Sequence, residues 1–329
     1  MNLNFNEVPE HIFSANEIRQ YSECARKRYY SSRDCLAIRA AKPNGNLTLG
    51  KKVHEMFEYY YLKGEEAIKA LIENISAQEG IDIDDCYELP RGVVERALEL
   101  VEPFQLSDED VQALGSDLST FNCIHENYKA ERLIDDLCKY EPLQCEMEFK
   151  LNNWPLDGVQ YHGQIDMMVR ERATSKIWFF EHKTCKDFRP EIYNRFDIQL
   201  HLYTVTGHNY CNASALQWGG IILNEVKKAK TVRGYAEHRM FYNYSHAEMN
   251  SFVEWLKAKT KAAISPSNFH EPCNTYMTCK MCEYANICLA YGYEVPQSHE
   301  EILDNASLVD EDGEHLYKYD PRGQEEENE

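Results

Sequence analysis

The chain has 329 residues, 43% of them hydrophobic, enough to bury a core as one large domain or two small ones. No basic-then-apolar N-terminal signal and no apolar run of ~18 residues is visible, which excludes a bilayer-spanning helix and predicts a soluble, intracellular protein. The 35 basic and 55 acidic side chains give a net charge of -20, which on average disfavours a polyanionic partner.

That average hides an asymmetry. Residues 294 to 329 carry 13 acidic and 2 basic side chains, whereas Arg26 to Lys52 hold eight basic residues and the single Asp34. A basic island lies near one end of the chain and an acidic tail at the other. The twelve cysteines, in a long chain rich in ordinary core residues, read as reduced thiols or metal ligands rather than as a disulfide framework.

In chain order, "FSANEIRQYSECARKRYY" predicts a helix opened by a Ser14/Glu17 capping box. "LGKKVHEMFEYYYLKG" predicts a second helix, entered by a turn at Gly50 and closed by Gly64. "GNLTLGKK" almost spells a phosphate-binding loop, but Lys52 stands where Ser or Thr should hold Mg2+, and nucleotide binding is rejected. Residues 65 to 140 read as a helical insertion. "LQCEMEFKLN", "VQYHGQIDMMV" and "KIWFFEHKT" are three strands in meander order, separated by turn compositions. A helix over "NRFDIQLHLYTVTG", two strands over "LQWGGIILNEV" and "EHRMFYNYS", and the amphipathic helix "HAEMNSFVEWLKAKTKAAI" follow. A cysteine-rich segment at 273–288 precedes a polar, acidic stretch expected to be loose.

Strand alternation puts Glu181 and Lys183 on one face with Ile177 and Phe179, and Trp178, Phe180 and His182 on the other. Both faces are bulky, so an unpaired carboxylate or ammonium there is costly unless it pairs, titrates or binds metal. Asp166 lies in the preceding strand. Two carboxylates on adjacent strands and a lysine two residues past the second can hold a divalent cation and aim a water at a phosphodiester. A buried ion pair is the alternative that the charges alone leave open. Glu146 and Glu148, at the start of the first meander strand, offer one further carboxylate.

"GQIDMMV" followed by "FFEHKT" resembles the Gly-x-x-Asp and Glu-x-Lys elements of the PD-(D/E)XK nuclease superfamily. "GKKVHEMFE" and "DIQLHLY" are similar to the histidine helix and the Gln-x-x-x-Tyr element of its RecB-like branch. The resemblance spans roughly Ser14 to Cys288. It implies an α/β fold with a restriction-endonuclease-like central mixed sheet flanked by helices. Asp166 and Glu181 would hold Mg2+ or Mn2+, His54 would add a nitrogen ligand congenial to Mn2+, Lys183 would assist the water, and Gln199 with Tyr203 would position the strand. Arg26, Lys27 and Arg28 in the basic island are expected to touch phosphates.

"CKMCEYANIC" sets Cys279, Cys282 and Cys288 at C-x2-C-x5-C spacing. Spacing alone favours zinc, with Cys273 the nearest fourth ligand. The resemblance extends to AddB-type and CRISPR-adaptation enzymes, in which such a triplet joins a distant N-terminal cysteine around a 4Fe-4S cluster. It implies Cys24 as that ligand, and a cluster that staples the first helix to the last ordered segment.

The reading is a metal-dependent DNA exonuclease acting on single strands or free ends, in recombination, repair or CRISPR adaptation. It is expected in the cytoplasm, the host's if the chain is phage-borne, with a recombination or CRISPR-adaptation protein as partner and no membrane. Residues 1–293 would form the nuclease domain and 294–329 a flexible tail, either a DNA mimic over the groove or a solubilising segment. The rival reading is a non-catalytic, metal-stapled module that binds nucleic acid or a partner.

Overall fold

A computed structural model describes residues 10–32, 35–41, 45–79, 88–265, 276–280, 282–292, 294–310 and 312–320. The chain divides into two compact units. One comprises residues 44–149 and 164–245, the other 1–43, 150–163 and 246–329.

The first of these is a mixed sheet with helices on both faces. Strands β3 (Tyr140–Asn152), β4 (Val159–Glu171) and β5 (Ile177–Cys185) follow one another, β3 pairing with β4 and β4 antiparallel with β5. A helix, α9 (Ile198–Ser214), then carries the chain to β6 (Trp218–Lys227), parallel to β5, before β7 (Glu237–Tyr242) returns antiparallel. A parallel neighbour needs such a crossover, because a tight turn cannot reverse the strand direction twice. One sheet face, with Met167, Val169, Phe180, Ile222 and Val226, packs on α3 (Gly45–Glu79), α4 (Arg91–Glu99), α6 (Leu118–Asn127) and α7 (Leu133–Lys139). On the other, Phe179 meets Tyr203 and Trp218 at ring separations of 6.4 and 4.8 Å. Helix α9 is buried along most of its length, and Gly207 lets it close on the sheet: a Cβ there would sit 2.3 Å from the Trp218 ring.

In the other unit, β1 (His11–Ser14) lies parallel to the first residues of β4, from His11↔Val159 to Ser14↔His162. Ser14 then opens α1 (Ala15–Glu23) through the expected capping box. The Tyr161 hydroxyl meets Thr260 on α10 (His246–Ala263). A small sheet pairs β2 (Ile38–Ala40) with β8 (Tyr317–Tyr319). Among the described residues no helix is long and apolar enough to cross a membrane.

Four local expectations are corrected. The helix expected from Ser14 through Tyr30 breaks at Cys24, whose extended backbone separates α1 from α2 (Ala25–Ser31). Gly64 does not close α3; the helix runs on to Glu79, and the glycine sits in a crowded contact where a Cβ would lie 2.7 Å from Leu137 Cδ1. Gly50 lies inside α3 rather than in a turn before it. The acidic stretch expected to be loose carries α13 (His299–Leu303) and β8, held by a core of Ile302, Leu308 and Tyr317 with Tyr30, Ile38 and Tyr284. Its apolar residues are few but spaced to meet one cluster, which outweighs the charge around them.

Candidate active site

The β4–β5 ladder pairs Met167 with Phe180, and the next residue on each strand is a carboxylate, Asp166 and Glu181. Asp166 Oδ2 accepts the His182 backbone N–H at 2.5 Å, satisfying a donor beyond that pairing. From α3, His54 brings its Nδ1 to 3.4 Å from Asp166 Oδ1. From β3 comes Glu146, whose φ of 49° lies in the left-handed region. A non-glycine residue there bears local strain, and it locally interrupts the alternation that would otherwise fix which way β3 side chains point. One ligand atom each from His54, Glu146 and Asp166 lies within 4.8 Å of the others. A divalent cation with ligand bonds of ~2.0–2.6 Å spans such a set. Two carboxylates and an imidazole are a fitting donor set for Mg2+ or Mn2+. Phe57, Glu58, Tyr61, Cys145, Met167 and His182 complete the lining of the pocket.

Glu181, 2% exposed, turns to a second set of groups. Lys183 Nζ pairs with its Oε1, and the Tyr203 hydroxyl lies 3.0 Å from its Oε2. Lys183 also donates to Gln199 Oε1 at 2.9 Å, and Gln199 Nε2 donates to the Tyr203 oxygen at 2.7 Å. Gln199 and Tyr203, one turn apart on α9, thus grip both members of the Glu-x-Lys element.

The charges are strongly coupled. Burial opposes the imidazolium of His54, but the Asp166 carboxylate, reinforced by Glu181, outweighs it and lifts the pKa to about 9. Burial likewise opposes ionised Asp166, yet His54 and the His182 N–H hold it below the usual carboxylate range. Burial and then the Asp166 charge push both Glu146 and Glu181 up to about 7. Burial keeps His182 neutral, with its pKa lowered to about 3.

His182 lies at the end of a buried polar chain. Asn224 Nδ2 donates to His182 Nδ1 at 3.2 Å and to the Tyr128 hydroxyl at 3.3 Å; Tyr128 reaches Tyr61 at 2.7 Å, and Tyr61 donates to Asp136 Oδ2 at 2.5 Å. Arg239 closes the far end on Asp136 with two bonds. The chain ties the His182 ring to Asn224 on one side, while His182 Nε2, Asn224 Oδ1 and Arg239 Nε have no hydrogen-bond partner among the described residues.

The structure therefore brings His54, Asp166, Glu181, Lys183, Gln199 and Tyr203 together. It adds Glu146 to the group whose spacing could hold a metal ion and leaves Glu148 exposed. It does not support the expected phosphate role of Arg26 and Arg28. Each is 1% exposed; Arg26 donates to the Gly292 carbonyl at 2.6 Å and Arg28 to that of Ala263 at 3.1 Å, over the Phe13 ring. Lys27 is paired with Glu23 at 3.0 Å. Burial lifts the Cys282 thiol, opposed by the Tyr284 N–H and Lys27 and reinforced by Cys288 and Cys24, so these three sulfurs are electrostatic neighbours. Among the described residues no three cysteine sulfurs lie within 4.8 Å of one another, wider than a set on one zinc with ~2.3 Å bonds. Cys279 is exposed at the end of α11 (Tyr276–Lys280), and Cys273 lies outside the described residues.

A solved structure described as "Crystal structure of SSO0001" aligns with 68% of this chain and 95% of its own at 16% identity, with a TM-score of 0.29, too low to carry an argument. No curated protein matches the chain. The profile of the PD-(D/E)XK nuclease superfamily matches residues 12–289, which contain every member of the site on β3, β4, β5, α3 and α9, and the chain belongs to that superfamily.

Proposed function

We propose that the protein is a metal-dependent DNA exonuclease that works on single strands or from free ends, in recombination, repair or CRISPR adaptation within the cytoplasm. The observation that carries this reading is the His54, Glu146 and Asp166 group beside Glu181 and Lys183. His54, Asp166 and Glu181, with Glu146, would hold Mg2+ or Mn2+, which when bound neutralises phosphate charge and acidifies a water. Lys183, kept as an ammonium by Glu181 against the cost of burial, offers N–H donors to the attacking oxygen and the developing phosphate charge. Gln199 and Tyr203 hold that lysine and glutamate in place. End-labelled single- and double-stranded DNA, with and without a free end, incubated with Mn2+ or Mg2+, tests the reading. Shortening from ends supports it, and intact DNA in every case refutes it.

The second cofactor we propose is a 4Fe-4S cluster on Cys24, Cys279, Cys282 and Cys288. Its support is the C-x2-C-x5-C spacing of Cys279, Cys282 and Cys288 in the sequence and the mutual electrostatic influence of Cys24, Cys282 and Cys288. Brown protein absorbing near ~400 nm is the expected result. Colourless protein with stoichiometric zinc sinks it.

A further inference from the structure

Between Lys183 and Gln199, whose side chains meet at 2.9 Å, the chain leaves β5 and enters α9 through an exposed segment. Its short helix α8 (Glu191–Arg195) is fastened by Asn194, turned inward, and by Arg195, whose guanidinium lies 5.6 Å from the centre of the Tyr244 ring. Asn194 is 2% exposed and its Nδ2 donates to Glu225 Oε1 on β6 at 3.4 Å, beside the Met240 sulfur of β7. With Asn194 fixed inward, its neighbours are turned out: Ile192 is 58%, Tyr193 69% and Phe196 71% exposed. Tyr193 and Phe196 are three apart, about one turn. A single exposed aromatic needs no explanation, but three large apolar residues within five positions make a patch.

Cations lie along the chain on either side of that patch. Lys186 and Arg189 are exposed on the same segment, which also carries Asp187, Glu191 and Asp197. The end of β6 and the loop after it hold Lys227, Lys228, Lys230 and Arg233, with no acidic residue from Lys227 to Arg233. The two stretches are fastened together: the Lys228 N–H donates to the Cys185 carbonyl at 2.7 Å, Lys227 Nζ lies 3.7 Å from Asp187 Oδ1, and the Phe188 ring is 5.4 Å from that of His238. In a chain of net charge -20 the excess of positive charge is local to residues 227–233, which begin beside Cys185, two residues past Lys183 on β5.

We propose that this surface docks single-stranded DNA, with bases stacking on Tyr193 and Phe196 and phosphates paired with Lys186, Arg189, Lys230 and Arg233. Stacking planes edged by cations suit a single strand, whose bases are available; a duplex hides its base faces and offers only phosphate. A strand lying there is delivered past Lys183. The inference rests on reading the Asp166 site as a nuclease, but its test does not require cleavage.

Fluorescence anisotropy of labelled oligo(dT) with the full protein in EDTA reads binding alone. Y193A/F196A is expected to lose about tenfold or more in affinity, Tyr193→Trp to retain it, and K230E/R233E to flatten the slope of log affinity against log salt by more than one. Thermal melts of the variants check that these exposed substitutions leave the fold intact. Unchanged oligo(dT) binding by Y193A/F196A, or an equal loss for a blunt duplex, overturns the docking surface. Absence of cleavage with Mn2+ alongside the expected binding losses overturns the nuclease reading and leaves the docking surface standing.

Discussion

Replacing Glu146 with Gln separates the role of its charge from the shape of the site. The carboxyl keeps its proton up to a pH of about 7 in the folded protein, against an ordinary value of 4.5, because burial and the Asp166 charge disfavour the anion. Between those values the unfolded chain has released a proton that the native state retains, so stability falls as pH rises. The full shift from 4.5 to about 7 corresponds to about 3 kcal/mol, and because Glu146 is only partly buried, screening by solvent reduces this to roughly 1–2 kcal/mol. Gln carries no charge and leaves the left-handed backbone at 146 as costly as before. Metal-free E146Q is therefore expected to be more stable than wild type by roughly 1–2 kcal/mol at pH 8, with the difference shrinking toward pH 5. With Mn2+ the order reverses in the increment: wild type gains more on metal addition, because the variant has lost a ligand. Urea unfolding at both pH values, in EDTA and in Mn2+, reads all four numbers. A variant that is less stable than wild type in EDTA at pH 8, or that gains as much from Mn2+, refutes the placement of Glu146 in the site.

Asp166→Ala and Lys183→Ala are expected to cut DNA cleavage by at least roughly 100- to 1000-fold, measured on end-labelled strands, while melting as cooperatively as wild type. Gly64→Ala should destabilise by about 1–3 kcal/mol in urea despite the better helix propensity of alanine, because the added methyl meets Leu137 and Leu98; a neutral or stabilising result would mean that α3 has room there. Removing residues 297–329 deletes β8 and the buried Ile302, Leu308 and Tyr317, and should lower the melting temperature, whereas deletion beyond Asp320 spares them. Equal melting temperatures for the two truncations would remove the case for a folded tail.

The parts of the site legible in the sequence are those that a short pattern places: alternation put Glu181 and Lys183 on one face, and the four-residue step put Gln199 and Tyr203 side by side. Glu146 was narrowed only to a choice with Glu148, because the backbone irregularity that turns it inward is a single φ angle with no glycine to announce it. The buried chain from Asp136 to His182 joins residues up to 103 positions apart and has no local signature at all. Helix ends escape a local reading where tertiary contact overrides the usual punctuation: Gly64 looks like a stop, yet α3 continues through it, close against Leu137. The strands β1, β2 and β8 are three or four residues long, too short for periodicity to register. Charge was the most deceptive signal, since a run such as "ARKRYY" says nothing about which way its side chains turn.

Arg26 and Arg28 matter to how a polyanion meets this protein. With both guanidiniums enclosed, their positive charge is set back from water, and what an approaching strand senses at long range is a predominantly negative body. Encounter is then opposed at a distance and favoured only at contact. Added salt should speed association, by collapsing the far field to a Debye length of ~8 Å near 0.15 M, while it loosens the bound complex throughout. Bulk nucleic acid is thereby disfavoured over the rest of the surface, and on the docking proposal capture would be confined to strands that arrive at the Tyr193 edge.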